Sequence, residues 1–288
     1  MYSNKQCNLY GIAVTLEDVS LREPIAIRGS FERCCDIAAE IGYDGIELQM
    51  KDPRSLDAIS MKKICNERGL RISALATGME CRYNGFNLTH DDRSVVKASI
   101  ERMKEYVDLA EIWETLPIIG FMRGNMANPS DLKSRDMYCN RLKEALLEVL
   151  EYAEKKGVTL IMEAVNMYIT NWMNTIRENT DFIRSIGSPN LLLHIDTHHM
   201  HIDERDMATA VEYCKDIIGY VHISDSNRLY PGGGTFDFKS FMSLVMSSGY
   251  DGFYTLEVLP VPSQLEAAKI GLKCIKTVED SVRAVAYM

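Results

Sequence analysis

Short apolar runs rich in β-branched residues alternate along the whole chain with longer segments whose apolar positions recur at helical spacing. The runs read as strands at Asn8–Val14, Gly45–Met50, Arg71–Gly78, Leu116–Met122, Val158–Asn166, Leu191–Asp196, Ile218–Ser224 and Gly252–Val258. The segments between and after them read as helices at Ser30–Ile41, Leu56–Arg68, Asp91–Ile112, Asp136–Lys156, Thr175–Ile186, Asp206–Asp216, Phe238–Ser248 and Ser263–Ala286. Ser30 is placed as an N-cap, and Gly42, Gly69 and Gly157 as helix stops. Strict alternation demands parallel strands joined by right-handed crossovers. Eight such units in this length predict a closed (β/α)8 TIM barrel, a single domain over residues 1–288. An open doubly wound sheet would carry a GxGxxG after its first strand, and none is present. The segments Met79–His90, Arg123–Ser134 and Asp225–Asp237 follow strands, which places them as loops on the catalytic face.

Four polar residues interrupt the apolar strands near their C-terminal ends: Glu163 in LIMEAVN, Asp196 in LLLHID, His222 in GYVHIS and Glu257 in YTLEV. A carboxylate in an apolar strand is costly unless it is paired, hydrogen-bonded or metal-bound. Taken singly, each has a plainer reading. A strand glutamate could pair with a basic residue, His222 could be a hydrogen-bonded core histidine, and Asp196 could cap the following turn. Taken together, they lie at one end of four successive strands, where a closed barrel brings them into one region. Three carboxylates and an imidazole there call for a cation, and oxygen-rich ligands with one nitrogen suit Mn²⁺, with Mg²⁺ or Co²⁺ as alternatives. His199 follows Asp196 by three residues and could donate to a substrate oxygen; Arg228 follows His222 by six and could clamp one, or could form a structural ion pair. His198 and His201 read as solvent-exposed loop residues. Trp113, Trp172 and Tyr83 are candidate pocket-lining aromatics. Pro231–Gly234 reads as a plain turn, since it lacks the spacing and lysine of a phosphate loop.

Composition narrows the class. A net charge of −9 gives no electrostatic reason to expect nucleic acid or an anionic membrane as partner. The eight cysteines form no CxxC pair, and a chain with a full core needs no disulfide staples, so they read as reduced. Neither a signal peptide nor an apolar stretch of membrane-spanning length is visible, which points to the cytoplasm.

The strings LIMEAVN, HIDTHHMHIDE, YVHISDSNRLYPGGGTFDF and YTLEV resemble the xylose-isomerase-like TIM barrels, most closely the D-tagatose/D-psicose 3-epimerase-like branch of sugar and sugar-phosphate isomerases and epimerases. The resemblance covers all eight βα units. It implies one divalent metal held by Glu163, Asp196, His222 and Glu257, with Glu163 and Glu257 also the acid/base pair and His199 and Arg228 on the substrate. The implied chemistry is proton transfer beside a carbonyl through a metal-bound cis-enediolate, giving epimerisation or isomerisation of a ketose or sugar phosphate. It also implies a homo-oligomer, dimer or tetramer. The ketohexose epimerases carry a second glutamate six residues after the first; here that position is Ile169, which favours a different or decorated sugar. A metal-dependent lyase on the same barrel, a dehydratase or the catalytic subunit of a C-glycoside deglycosidase with a second subunit, is the alternative. An endonuclease-IV-like enzyme would need more histidines and a basic face.

Overall fold

A computed structural model describes residues 8–286. Eight parallel strands form the barrel: β1 (Leu9–Thr15), β2 (Gly45–Gln49), β3 (Arg71–Ala76), β4 (Pro117–Ile119), β5 (Leu160–Glu163), β6 (Leu191–Asp196), β7 (Ile218–Ile223) and β8 (Phe253–Leu256). Each pairs with its sequence neighbour, and β8 returns to β1 in the register Leu9↔Phe253 to Ile12↔Leu256, closing the barrel. The predicted TIM barrel is the observed fold. Closure leaves the barrel strands no free edge, apart from a two-residue strand, Ile27–Arg28, laid beside the end of β1.

Ten helices among the described residues complete the fold: α1 (Phe31–Ile41), α2 (Ala58–Glu67), α3 (Gly78–Asn84), α4 (Arg93–Trp113), α5 (Leu132–Lys155), α6 (Ile176–Ile186), α7 (Thr197–Asp203), α8 (Met207–Cys214), α9 (Phe238–Ser247) and α10 (Gln264–Ala286). Their ends follow local chemistry. The Ser30 side chain accepts from the Arg33 amide, and Gly42 closes α1 in the left-handed region at φ 97°. Thr175 and Glu178 form a reciprocal capping box on α6.

Four expectations need correction. The segment Met79–His90 is not all loop, because α3 begins at Gly78 and stops at the left-handed Gly85. Helix α5 starts four residues before Asp136, because Asp131 caps it by accepting from the Lys133 and Ser134 amides. The fourth strand is shorter than Leu116–Met122, since the chain leaves the sheet at Gly120 and turns through a 3-10 segment, Phe121–Arg123. A seven-residue helix, α7, follows Asp196 directly. The seven described cysteines are free, and Cys7 lies outside the described residues. No helix among the described residues is long and apolar enough to cross a membrane.

Candidate active site

Alternation along the strands fixes what enters the barrel mouth. Asp196 ends β6 and His222 lies one residue from the end of β7, while Glu163 ends β5 and Glu257 follows β8 directly. Glu163, His222 and Glu257 line one hollow, and the fully buried Asp196 stands beside them against His222. His222 Nδ1 stands 3.5 Å from Asp196 Oδ2, 3.6 Å from Glu257 Oε2 and 3.9 Å from Glu163 Oε1. That nitrogen is buried and makes no hydrogen bond among the described residues.

This set fits a divalent cation. Donor atoms bonded at roughly 2.0–2.2 Å to a common ion stand about 3–3.5 Å apart, close to the separations seen here. Three carboxylate oxygens and a buried, unbonded imidazole nitrogen converge at one point. Groups that share members with this set, Glu163–Asp196–His199, Glu47–His222–Glu257 and Glu163–His194–His222, also have donor atoms close enough to hold an ion.

The other face of His222 is fixed by a residue that the sequence reading missed. Its Nε2 meets Glu47 Oε2 at 2.5 Å. Glu47 lies fully buried on β2. A carboxylate on the outer nitrogen of an imidazole orients the ring and raises its basicity as a metal ligand. Gln49, two residues on, donates to both Glu47 Oε1 and Glu257 Oε1 at 2.9 Å. One amide thus ties the His222 support to a catalytic candidate.

Asp196 does two jobs. Its Oδ1 accepts from the His198 amide at 2.7 Å and the His199 amide at 3.2 Å, capping α7, while Oδ2 faces the cluster. The capping reading is met, and the same side chain leaves Oδ2 toward the cluster. Arg228 forms ion pairs at 2.7 Å to Asp196 Oδ2 and 2.8 Å to Glu257 Oε2. It sits in the left-handed region at φ 63°, a strained conformation for a non-glycine residue and one that marks functional sites. The loop that holds it turns around Asp225, whose carboxylate accepts from the amides of Ser226, Gly232 and Phe236. Those amides of the glycine-rich segment are spent on Asp225, in keeping with a plain turn.

His199 is buried above the cluster. Asn166 donates its amide to His199 Nδ1 at 2.7 Å, and Asn166 Oδ1 is held by the Tyr168 amide. On the other side of the ring, Nε2 lies 3.2 Å from an Arg228 guanidinium nitrogen, which can only donate, and 3.5 Å from Glu163 Oε1. Gly120 leaves room for the Glu163 carboxylate, since a Cβ there would stand 2.7 Å from Glu163 Oε2 and force it to shift. Arg123, fully buried, donates to the Glu163 carbonyl at 2.8 Å and to Thr170 Oγ1 at 3.0 Å, pinning the end of β5 to the loop after it.

Electrostatics follow burial. Desolvation raises the Glu163 carboxyl to about 8, against the pull of His222 and with the push of Glu257 and Asp196. Glu257 is raised too, chiefly by burial, although Arg228 and His222 oppose it. For Asp196, burial would raise the carboxyl, but the Arg228 guanidinium above all outweighs it and holds it well below the usual carboxylate range. Burial likewise opposes charge on His222, yet Glu47 and Glu257 raise it well above the ordinary imidazole value. Burial keeps His199 neutral.

Four side chains are placed otherwise than expected. His198 is half-buried, with Nδ1 against the Ser226 carbonyl at 3.1 Å, and it lines the hollow; His201 is exposed, as expected. Trp113 and Trp172 are core residues whose indoles donate to the Ala58 and Gly124 carbonyls, and neither lines the hollow. Tyr83 lies outside it under the Lys51 ammonium. Phe121 is the aromatic that the hollow presents instead.

Comparison with known proteins places this geometry. The family model described as "Xylose isomerase-like TIM barrel" matches residues 35–278. The chain belongs to that family. It is 33% identical over 220 residues to an L-ribulose 3-epimerase from Methylomonas sp. (strain DH-1), covering 76% of this chain and 75% of the relative. It is 34% identical over 214 residues to a ketose 3-epimerase from Arthrobacter globiformis, covering 74% and 72%. A solved L-ribulose 3-epimerase superposes with a TM-score of 0.81 at 25% identity, covering 96% of each chain. The resemblance to the ketose 3-epimerase branch is borne out, and with these relatives the chain is a sugar epimerase.

Proposed function

We propose that this protein is a divalent-metal-dependent ketose 3-epimerase, with Glu163 and Glu257 exchanging the proton at C3. The supporting observation is the convergence of Glu163, Asp196, His222 and Glu257 around the unbonded His222 Nδ1. Relatives named as epimerases of L-ribulose, D-psicose and D-allulose supply the substrate class. The four residues are the metal ligands in this reading, and Mn²⁺ suits three oxygen donors and one nitrogen, with Mg²⁺ and Co²⁺ as alternatives. Such an ion supplies Lewis-acid polarisation of the substrate carbonyl and adjacent hydroxyl.

The chain's own groups do the rest. Glu163 and Glu257 stand on strands separated by β6 and β7, so they can approach a flat enediolate from two sides. One carboxylate takes the C3 proton and the other returns a proton to the opposite face. Burial raises both carboxyls in the metal-free site, and a bound cation would lower them again. The Arg228 guanidinium, with the buried His199 ring beside it, faces developing oxygen charge in the hollow.

The test is product identity. Mn²⁺-loaded protein incubated with L-ribulose and, separately, with D-allulose should yield L-xylulose and D-fructose, the C3 epimers. An aldose product would mean isomerisation instead. Loss of water from the substrate would mean the lyase reaction. Either result contradicts the proposal.

A further inference from the structure

The catalytic hollow measures about 270 Å³ and ends against Phe121 and Ile169. A second hollow, of about 400 Å³, begins at the same wall: Arg82, Phe121 and Ile169 line both. Small-molecule sites usually run to roughly 300–1,000 Å³. The first hollow falls just short of that range alone, and the two joined fall inside it.

We propose that the second hollow is a binding subsite for a further sugar unit carried by the ketose, so that the preferred substrate is a glycosylated ketose. This rests on the epimerase reading above. The lining chooses the ligand chemistry. Tyr168 and Phe121 offer aromatic faces, and Tyr168 is 79% exposed. Asn87 and Asn125 offer amide donors. The Asn87 oxygen is taken by the Thr89 amide and hydroxyl, and the Asn125 oxygen by the Asn171 amide. Their NH₂ groups have no acceptor among the described residues and are left for a ligand. Aromatic faces with a few amide donors suit the apolar face and hydroxyl rim of a pyranose.

Charge argues against an ionic substituent. Arg82 is the only charged residue lining this hollow among the described residues, and its guanidinium is already paired with Glu23 and stacked 5.2 Å from the Phe121 ring. An anionic or cationic group would find no free counter-charge. A neutral polyol does not need one.

The subsite is mechanically joined to the chemistry. The Tyr168 amide donates to Asn166 Oδ1, and Asn166 donates in turn to His199. Ile169, on the shared wall, offers no hydrogen bond to a free ketose, but its apolar side chain can pack beneath a linkage that passes over it. Binding energy from a remote part of a substrate is what orients the reacting end.

The experiment compares deuterium uptake at C3 from D₂O, with Mn²⁺ present, into D-fructose and into its 4-O- and 6-O-α-D-glucosyl derivatives. At least one disaccharide should exceed fructose in kcat/KM by about tenfold or more. The double variant Tyr168→Ala/Asn125→Ala should remove that advantage while keeping the fructose rate within about twofold. Both positions are exposed, so folding is not at stake. Exchange into fructose with no gain for either disaccharide overturns the subsite and leaves the epimerase reading standing. A gain that survives the double variant also overturns it. No exchange into any of these sugars, nor into L-ribulose or D-allulose, sinks both.

Discussion

Two layers of buried polar groups lie inside the same barrel, and they are built on opposite plans. The upper layer holds Glu163, Asp196, His222 and Glu257. Two residues back along the strands, the lower layer holds Tyr220 and Thr255, joined to Ser73 on β3: the Tyr220 hydroxyl meets the Ser73 hydroxyl at 2.8 Å and the Thr255 hydroxyl at 2.6 Å. The lower layer is neutral, and its hydroxyls satisfy one another. Gly11 makes room for it, since a Cβ there would stand 2.4 Å from Thr255 Oγ1. The upper layer is charged, leaves His222 Nδ1 unbonded and holds Glu163 far from its ordinary protonation range. His194, two residues back from Asp196 and in register with Tyr220, also belongs to the lower layer; its ring lies 4.1 Å from that of His222, both its nitrogens lack a hydrogen bond among the described residues, and burial suppresses its protonation. The hydroxyls of the lower layer satisfy one another, while the unbonded nitrogen of the upper layer is the one that faces the three carboxylates.

The contrast breaks most sharply at the proposed acid/base pair, Glu163 and Glu257. Glu163→Gln should lower epimerisation by about 10³-fold or more in kcat, since removing a positioned acid or base forfeits roughly 10²–10⁴ and a ligand oxygen is lost as well. Steady-state assays at saturating Mn²⁺ check this. Glu47→Gln should weaken Mn²⁺ binding by about 10–100-fold, as loss of an outer partner to a ligating imidazole does. Calorimetric titration reads it directly.

The pH dependence sharpens the comparison. Glu163 titrates near 8 in the metal-free protein, and His222 is raised as well. Both must be deprotonated to ligate, so protons compete with the ion. Mn²⁺ affinity should therefore rise with pH up to about 8, by about tenfold per unit for each proton released. A flat profile between pH 6 and pH 8, on the order of a twofold change, would contradict the charge arrangement of the upper layer. The smallest effect belongs below. Tyr220→Phe should cost about 1–2 kcal/mol of stability, by leaving hydroxyl partners unpaired, and should change kcat by less than about twofold. Denaturant melts and the same assay separate the two.

Much of this was legible in the sequence because burial makes charge conspicuous. Glu163, Asp196, His222 and Glu257 interrupt apolar strands, and apolar strands are easy to see. Glu47 gives the same signal inside GIELQM, and it is the one functional residue that the pattern offered and the reading passed over. Gln49 and Asn166 gave no comparable signal, since a neutral amide near a strand end is unremarkable until its partners are known. Helices α3 and α7 are seven residues long, too short for an apolar periodicity to repeat. The indoles of Trp113 and Trp172 turn inward because backbone carbonyls far along the chain accept their N–H groups, and no local pattern records that. His198 was read as exposed for the same reason, its partner being the Ser226 carbonyl on the next barrel loop.

The central claim is that Glu163 and Glu257 move a proton at C3 with a divalent ion held between β5, β6, β7 and β8. The most direct measurement is deuterium incorporation from D₂O into L-ribulose, followed by NMR, with the chelated protein and then with Mn²⁺ restored. The account predicts no label with chelator, label at C3 alone once Mn²⁺ is returned, and no label in Glu257→Gln. Label at C3 that persists in the chelated protein, or in Glu257→Gln at the wild-type rate, would contradict it.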